Sequence, residues 1–382
     1  MTLQTPDYVK EIIDTLCLAG YEAYIVGGCV RDMLFGKAPA DFDVATNALP
    51  TAVKALFKNT ADTGLIHGTV TVICGGMPVE VTTFRTESGY SDSRHPESVV
   101  FVNDIKSDLC RRDFTVNAMA YNEKTGLIDC FGGKEDLQNR ILRAVGDPEK
   151  RFAEDALRIL RLFRFSAVLG FKPETSTLEA ALSAAETLSL VSSERIAAEL
   201  IKAANGVCVS ALSPLLKTGA LEFLGLTDGD IGAVSDLPQG DIRLFALLNI
   251  CGKNPLETAK LLKLSNKRKD YIKNMLCLIG GSVPQNRAEV KICLNRAENE
   301  FSDFLLYLKF ICGVDTEKIR ECYAEILRGG EPYKISHLAV SGDDLAARGI
   351  RGKTIGETLD RLLAAVIANP QLNRKETLIN LI

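Results

Sequence analysis

The 382-residue chain carries 45 lysines and arginines against 49 aspartates and glutamates, a formal charge of −4, which excludes a nucleic-acid binder of uniformly basic surface. Its length exceeds one typical core and predicts two to four domains, and 46% apolar with 25% charged residues is an ordinary soluble composition. With no apolar run of about 18 residues and no basic-plus-apolar leader, the expectation is a cytoplasmic protein without a membrane span.

In chain order, Val9–Leu18 reads as an opening helix ended by Gly20, and Ala23–Val26 as a short strand. Gly27-Gly28 turns the chain into a helix carrying Arg31. Asp41–Ala45 is the next strand, Thr51–Phe57 a helix, and Thr69–Cys74 and Val79–Phe84 are β-branched strands joined through Gly75-Gly76. The stretch 85–96 is rich in Gly, Ser, Asp and Arg, lacks periodicity and reads as a mobile loop. Sheet and helices together reach about residue 138. From there strand signals nearly vanish, and 148–204 and 208–330 show helical spacing. A glycine-punctuated turn, Val340–Gly356, precedes a last amphipathic helix. Eleven scattered cysteines, never Cys-x-x-Cys, predict reduced, buried thiols rather than disulfides or zinc. Three distant histidines, with no His-Asp pair, exclude a His-Asp metal phosphohydrolase domain.

Asp41-Phe42-Asp43 carries the most chemistry. Alternation along a strand sets the two carboxylates on one face, where they repel unless a cation lies between them. Hard oxygen donors of this kind suit Mg²⁺. Gly27 and Gly28 permit close backbone approach to a phosphate, and Arg31 adds a permanently charged fork. Glu80, between apolar Val79 and Val81, is the candidate third carboxylate or else an exposed strand acid. The set points to nucleotidyl transfer with two metals on Asp41 and Asp43.

Farther on, Phe152–Ala167 forms one predicted helix. Phe152, Ala156, Ile159, Leu160, Phe163 and Ala167 make its apolar stripe, with Arg151, Asp155, Arg158 and Arg161 opposite and Arg164 at the border. Asp155 and Arg158, at i and i+3, present an acceptor and donors side by side, suited to a base edge. Arg140 to Arg164 holds seven cations. A second cluster comprises Lys260, Lys263, Lys267, Arg268, Lys269 and Lys273; it reads either as a phosphate-binding patch or as a solvated helix face.

These motifs resemble the polymerase-β-type nucleotidyltransferases, in the branch of bacterial tRNA nucleotidyltransferases (CCA-adding enzymes) and bacterial poly(A) polymerases. The resemblance continues through Thr83–Pro96, Arg111-Arg-Asp-Phe-Thr-Val-Asn-Ala-Met119, Asp147–Phe152, Glu154-Asp-Ala-Leu-Arg158 and Ser193-Glu-Arg-Ile-Ala-Ala-Glu-Leu200. It covers about half the chain. It implies an α+β protein: a polymerase-β-like head (1–138) with a mixed sheet, then an all-α neck (139–205), body (206–310) and tail (311–382).

The activity it implies is template-independent addition of CCA to the 3′ end of tRNA from CTP and ATP, with release of pyrophosphate. Gly28 and Arg31 would then hold the triphosphate, and Arg112 and Asp113 would lie by the triphosphate and ribose. Asn117 either faces the same cleft or supports it. Asp155 and Arg158 would select C or A, with Arg161 and Arg164 as further nucleotide contacts. Residues 89–94 belong to a loop tied by the resemblance to the switch from C to A addition. Partners would be tRNA and the two nucleotides, with no membrane and no obligate protein partner. The rivals are a CC-adding or A-adding enzyme, a poly(A) polymerase and an inactive RNA-binding homologue. Gly64–Val72 in place of a Gly-Arg-Arg-Phe-like element, and an end without a basic run, favour the tRNA enzyme.

Overall fold

The computed structural model describes residues 3–88 and 98–382. The chain divides into two compact units, Met1–Gly229 and Asp230–Ile382.

The first unit opens with α1 (Asp7–Leu18), β1 (Ala23–Val26), α2 (Gly28–Leu34), β2 (Asp43–Thr46) and α3 (Pro50–Leu56). There follow β3 (Thr60–Gly64), β4 (Thr69–Cys74), β5 (Met77–Thr83), β6 (Arg85–Ser88), β7 (Ser98–Phe101), α4 (Ile105–Cys110), β8 (Met119–Asn122) and β9 (Gly126–Asp129). Seven strands form one mixed sheet in the order β3-β4-β5-β2-β1-β8-β9. Only β2 and β5 pair in parallel there. Gly75 and Gly76, at φ 57° and 79°, make the expected tight turn between β4 and β5. Tyr24, Val26, Ala45, Phe84 and Ala120 pack with Ile105 and Leu109 of α4, fixing that helix against the sheet.

Several expectations need correction. Residues 85–88 are not loop but β6, paired antiparallel with β7; the switching stretch 89–94 lies outside the described residues. β2 begins at Asp43 rather than Asp41. Its register against β5 would carry Asp41 opposite Pro78, which has no N–H, and on the other side β1 has already ended at Val26. The cysteines are all free, but only Cys29, Cys251 and Cys293 are buried, while Cys110, Cys130, Cys277 and Cys312 are exposed.

Beyond the sheet come α5 (Gly133–Asn139), β10 (Ile141–Leu142), α6 (Pro148–Glu154), α7 (Leu157–Leu169), β11 (Lys172–Pro173), α8 (Thr175–Ser183), α9 (Ser193–Ala204) and α10 (Ser213–Lys217). The single helix expected over Phe152–Ala167 is thus two. Asp155 sits between them in extended conformation, φ −142° and ψ 106°. Its Oδ1 accepts the Leu157 N–H at 3.0 Å, so a short polar side chain competes for a backbone donor and restarts the helix. The apolar stripe survives the break: Phe152, Ala156, Ile159, Leu160, Phe163 and Ala167 are all buried.

The second unit is helical: α11 (Asp241–Cys251), α12 (Pro255–Leu261), α13 (Asn266–Ile279), α14 (Arg287–Ala297), α15 (Phe301–Phe310), α16 (Glu317–Arg328), α17 (Gly342–Ala346), α18 (Lys353–Ala368) and α19 (Lys375–Ile379). The segment expected as a glycine-punctuated turn contains α17, started by a capping box in which Ser341 and Asp344 exchange hydrogen bonds. Nor is α18 the last helix, since α19 follows and buries Leu378 against Val340, Leu345 and Leu362. In the second basic cluster, Lys260 pairs with Glu257 at 2.7 Å and Arg268 with Asp241 at 2.8 Å, so part of its charge is engaged internally.

Candidate active site

A cleft of about 500 Å³ opens in the first unit, lined by eight arginines against three aspartates. That local excess of five positive charges contrasts with the chain's net −4 and suits a polyanion.

One end is acidic. Strand pairing sets Asp43 opposite Val26 on one side and Glu80 on the other. Phe42 is buried and meets the Tyr8 ring edge-on at 6.3 Å, while its neighbours Asp41 and Asp43 are exposed. The two carboxylates therefore flank an anchored ring, and the alternation holds although Asp41 precedes the strand. Desolvation by the surrounding chain, then the charges of Asp41 and Glu80, push the Asp43 carboxyl up to about 6; Arg112 pulls the other way. Asp43 nevertheless keeps solvent access, as an incoming cation requires. It lies on the cleft wall, whereas Asp41 and Glu80 stand outside the lining. Glu80 is exposed between buried Val79 and Val81, as its alternation predicts.

Among the described residues, no group of three or more His, Cys, Asp or Glu side chains is gathered to hold a metal. Mg²⁺ does not need one, because it commonly takes one or two carboxylates and completes its shell with water and substrate phosphate. Mutually repelling hard-oxygen donors, one with a raised pKa, fit such an ion.

The opposite end is built from α7, α9 and the segment before β8. Gly27, not Gly28, is the position that demands glycine. Its φ is 77°, and a Cβ there would lie 2.8 Å from Arg112 Nη1. Both glycines line the cleft at the start of α2. Arg31 is buried, donating from Nη1 to Asn117 Oδ1 at 2.6 Å and from Nε to Asp32 Oδ1 at 2.9 Å. Asn117 both faces the cleft and supports it: its Nδ2 donates to Asp113 Oδ1 at 3.1 Å, and its carbonyl accepts from Arg112. Arg112 also pairs with buried Asp108 at 3.2 Å, and its Nε is buried without a partner.

Asp113 is saturated. Oδ1 accepts from Phe114 N and Asn117 Nδ2, and Oδ2 from Arg161 Nε and Nη2 at 2.8 and 2.6 Å. Burial alone would raise its pKa, but Arg161 and these hydrogen bonds outweigh it and bring the carboxyl to about 2. A ribose hydroxyl at Asp113 must therefore share or displace one of these donors. Glu199, buried on α9, holds Arg164 Nε at 2.7 Å and lies 3.9 Å from Arg161.

Asp155 and Arg158 line the same cleft, but only Arg158 is helical, because the helix breaks at Asp155; the Arg158 N–H still donates to the Asp155 carbonyl at 2.9 Å. Asp155 Oδ2 is held by Arg195 Nη2 at 2.9 Å. Arg158, expected opposite the apolar stripe, is only 8% exposed. Its Nη1 donates to Arg151 O at 3.1 Å and to Glu154 at 2.5 Å, and Nη2 donates to Arg111 O at 2.9 Å. Of five guanidinium hydrogens three are used, leaving Nε–H and one Nη2–H. Each Asp155 oxygen keeps one acceptor position. A donor fork and an acceptor thus remain available on one wall.

Arg195, Arg111, Arg85 and Phe165 also line the cleft without having been assigned a role from sequence. The Ser193–Leu200 motif contained Arg195 and Glu199. Only the fold reveals that α9 delivers both to α7.

A site that joins cation-seeking carboxylates to polyanion-seeking guanidinia, on this mixed sheet, defines a nucleotidyltransferase. The Poly A polymerase head domain family matches residues 23–143, the portion carrying β1 to β9. The chain is 37% identical to a CCA-adding enzyme of Limosilactobacillus fermentum over 97% of its own length and 94% of that protein. It is 35% identical to one from Enterococcus faecalis, over 98% and 96%. The crystal structure of the Bacillus stearothermophilus CCA-adding enzyme in complex with CTP superposes with a TM-score of 0.84 at 34% identity, covering 98% of this chain and 96% of that one. This chain belongs to the CCA-adding enzyme family.

Proposed function

We propose that the cleft binds CTP or ATP with the triphosphate toward Arg31 and Arg112 and the base toward Asp155 and Arg158. The protein is a tRNA nucleotidyltransferase that adds CCA to the 3′ end of tRNA, with release of pyrophosphate. One observation carries the site assignment: eight arginines converge on a cleft whose wall also bears Asp43, with its carboxyl raised to about 6.

Asp41 and Asp43 are the residues placed to hold magnesium, with Glu80 next to Asp43 on β5 as a further acceptor. Bound there, the ions supply a lowered pKa at the attacking 3′-hydroxyl and charge relief on the departing pyrophosphate. Gly27 and Gly28 admit the phosphates close to the backbone. The Arg158 fork reaches acceptors such as cytosine O2 and N3, and Asp155 accepts from an exocyclic amine. Arg195 and the Leu157 N–H hold Asp155 so that its remaining acceptor positions are directed by the fold. The α7–α9 region serves as the neck, followed by a body and tail that engage tRNA. Eleven free thiols suit the reducing cytoplasm in which we place the enzyme.

The test uses tRNA ending at its discriminator base, incubated with CTP, ATP or both, with product lengths read directly. Two added residues with CTP, three with both and none with ATP alone are expected. Long products with ATP alone would identify a poly(A) polymerase. Arrest after two residues with both nucleotides would identify a CC-adding enzyme.

A further inference from the structure

Phe165, on α7, is 6% exposed and lines the cleft. Three guanidinium groups surround its ring. The Cζ of Arg164 lies 3.4 Å from the centroid, that of Arg161 5.3 Å and that of Arg31 5.5 Å. The ring itself is set by Phe114, edge-on at 5.8 Å and fully buried. Three like charges around one side chain repel one another. Each has a carboxylate partner as well: Asp32 for Arg31, Asp113 for Arg161 and Glu199 for Arg164. Glu199 reaches both Arg164 and Arg161, whereas Asp32 holds Arg31 from a different segment. The negative face of the aromatic ring is the feature common to all three.

We propose that Phe165 is a positioning residue for the triphosphate: its ring holds Arg31, Arg161 and Arg164 as one array and so sets phosphate affinity, without touching the metals or the base. This rests on the reading of the cleft as a nucleotide site. An aliphatic residue keeps the site apolar but is smaller and offers no π face.

The test replaces Phe165 with pentafluorophenylalanine, which keeps the shape of the ring and reverses its facial charge, and separately makes Phe165→Leu and Phe165→Tyr. Inorganic tripolyphosphate and cytidine are titrated as inhibitors of C addition by the full-length protein. In the fluorinated protein and Phe165→Leu, KM for CTP and ATP and the inhibition constant of tripolyphosphate are expected to rise together, by about three- to thirtyfold. The inhibition constant of cytidine and kcat should stay near wild type, and Phe165→Tyr should restore phosphate affinity. Unchanged tripolyphosphate affinity in the fluorinated protein overturns the proposal, as does an equal loss for tripolyphosphate and cytidine, which would mark a general packing role. If tripolyphosphate fails to compete with CTP in the wild type, the nucleotide-site reading fails instead.

Discussion

The two ends of the cleft solve opposite electrostatic problems. At the β2–β5 end, Asp41, Asp43 and Glu80 are exposed, and the charges of Asp41 and Glu80 help to raise the pKa of Asp43. At the α7–α9 end, arginines are interleaved with Asp113, Asp155 and Glu199, and Asp113 is held at about 2. The first end is unfavourable by itself and is relieved by a cation from outside. The second is partly balanced from within, and a substrate meets the remaining positive charge or exchanges partners with it. Removing charge should therefore spare or stabilise the fold at one end and weaken it at the other.

The largest effect is expected at the acidic end, in activity alone. Asp43→Ala should reduce addition of C and of A by about a thousandfold or more, since metal assistance supplies several kcal/mol. Binding of tRNA should be retained. Near-normal turnover would remove Asp43 from the metal site, whereas loss of tRNA binding would make its role structural. Asp41→Ala should behave alike if the two carboxylates act as one site.

Next comes stability at the basic end. Asp113→Ala leaves half-buried Arg161 without the carboxylate that accepts from two of its donors, which costs roughly 3 kcal/mol, the low end for a buried pair. The Asp113 carboxyl is depressed below its unfolded value near 4, so its contribution is present above pH 4 and is lost as pH falls toward 2. Urea unfolding of wild type and variant at several pH values reads both. A variant as stable as wild type at pH 7 would break the contrast between the ends.

Base selection should respond to a smaller degree. Arg158 supports the backbone at two carbonyls, so its replacement confounds reading with folding. Asp155→Ala is the cleaner change. Loss of one acceptor costs about 1–3 kcal/mol, roughly tenfold to a hundredfold in discrimination. kcat/KM for the four nucleotides on tRNA substrates should show UTP and GTP gaining on CTP and ATP. Ratios equal to wild type would assign Asp155 to positioning Arg195 and the start of α7.

The smallest effect sharpens the comparison most. Because the folded pKa of Asp43 is raised, its ionised form costs stability, and that cost grows as pH rises from about 4 to about 6. A fully expressed shift would amount to roughly 3 kcal/mol. Solvent screening at this exposed carboxylate reduces it to about 1. In metal-free buffer Asp43→Asn should melt about 2–4 °C above wild type at pH 8 and level with it at pH 4. Added Mg²⁺ should raise the wild-type Tm and leave the variant's unchanged.

The strand–turn–helix around Gly27-Gly28, the β4–β5 hairpin, the buried stripe of α6 and α7 and the all-helical later half were legible in the sequence. Each follows from local periodicity or turn chemistry. The motifs also named most of the cleft: Gly28, Arg31, Asp43, Arg112, Asp113, Asp155, Arg158, Arg161 and Arg164 all line it. Partner choice was not legible. Helical periodicity made Arg158 a neighbour of Asp155 on the helix face away from the apolar stripe. The fold buries it on main-chain carbonyls, because Asp155 takes the Leu157 N–H and turns the chain at that point. Nor could spacing join Arg195 to Asp155, 40 residues away, or gather Arg31 and Arg161 around Phe165. Local propensity determined which residues would carry charge. Which carboxylate meets which guanidinium depends on distances across α7, α9 and the sheet, and only tertiary packing sets those distances.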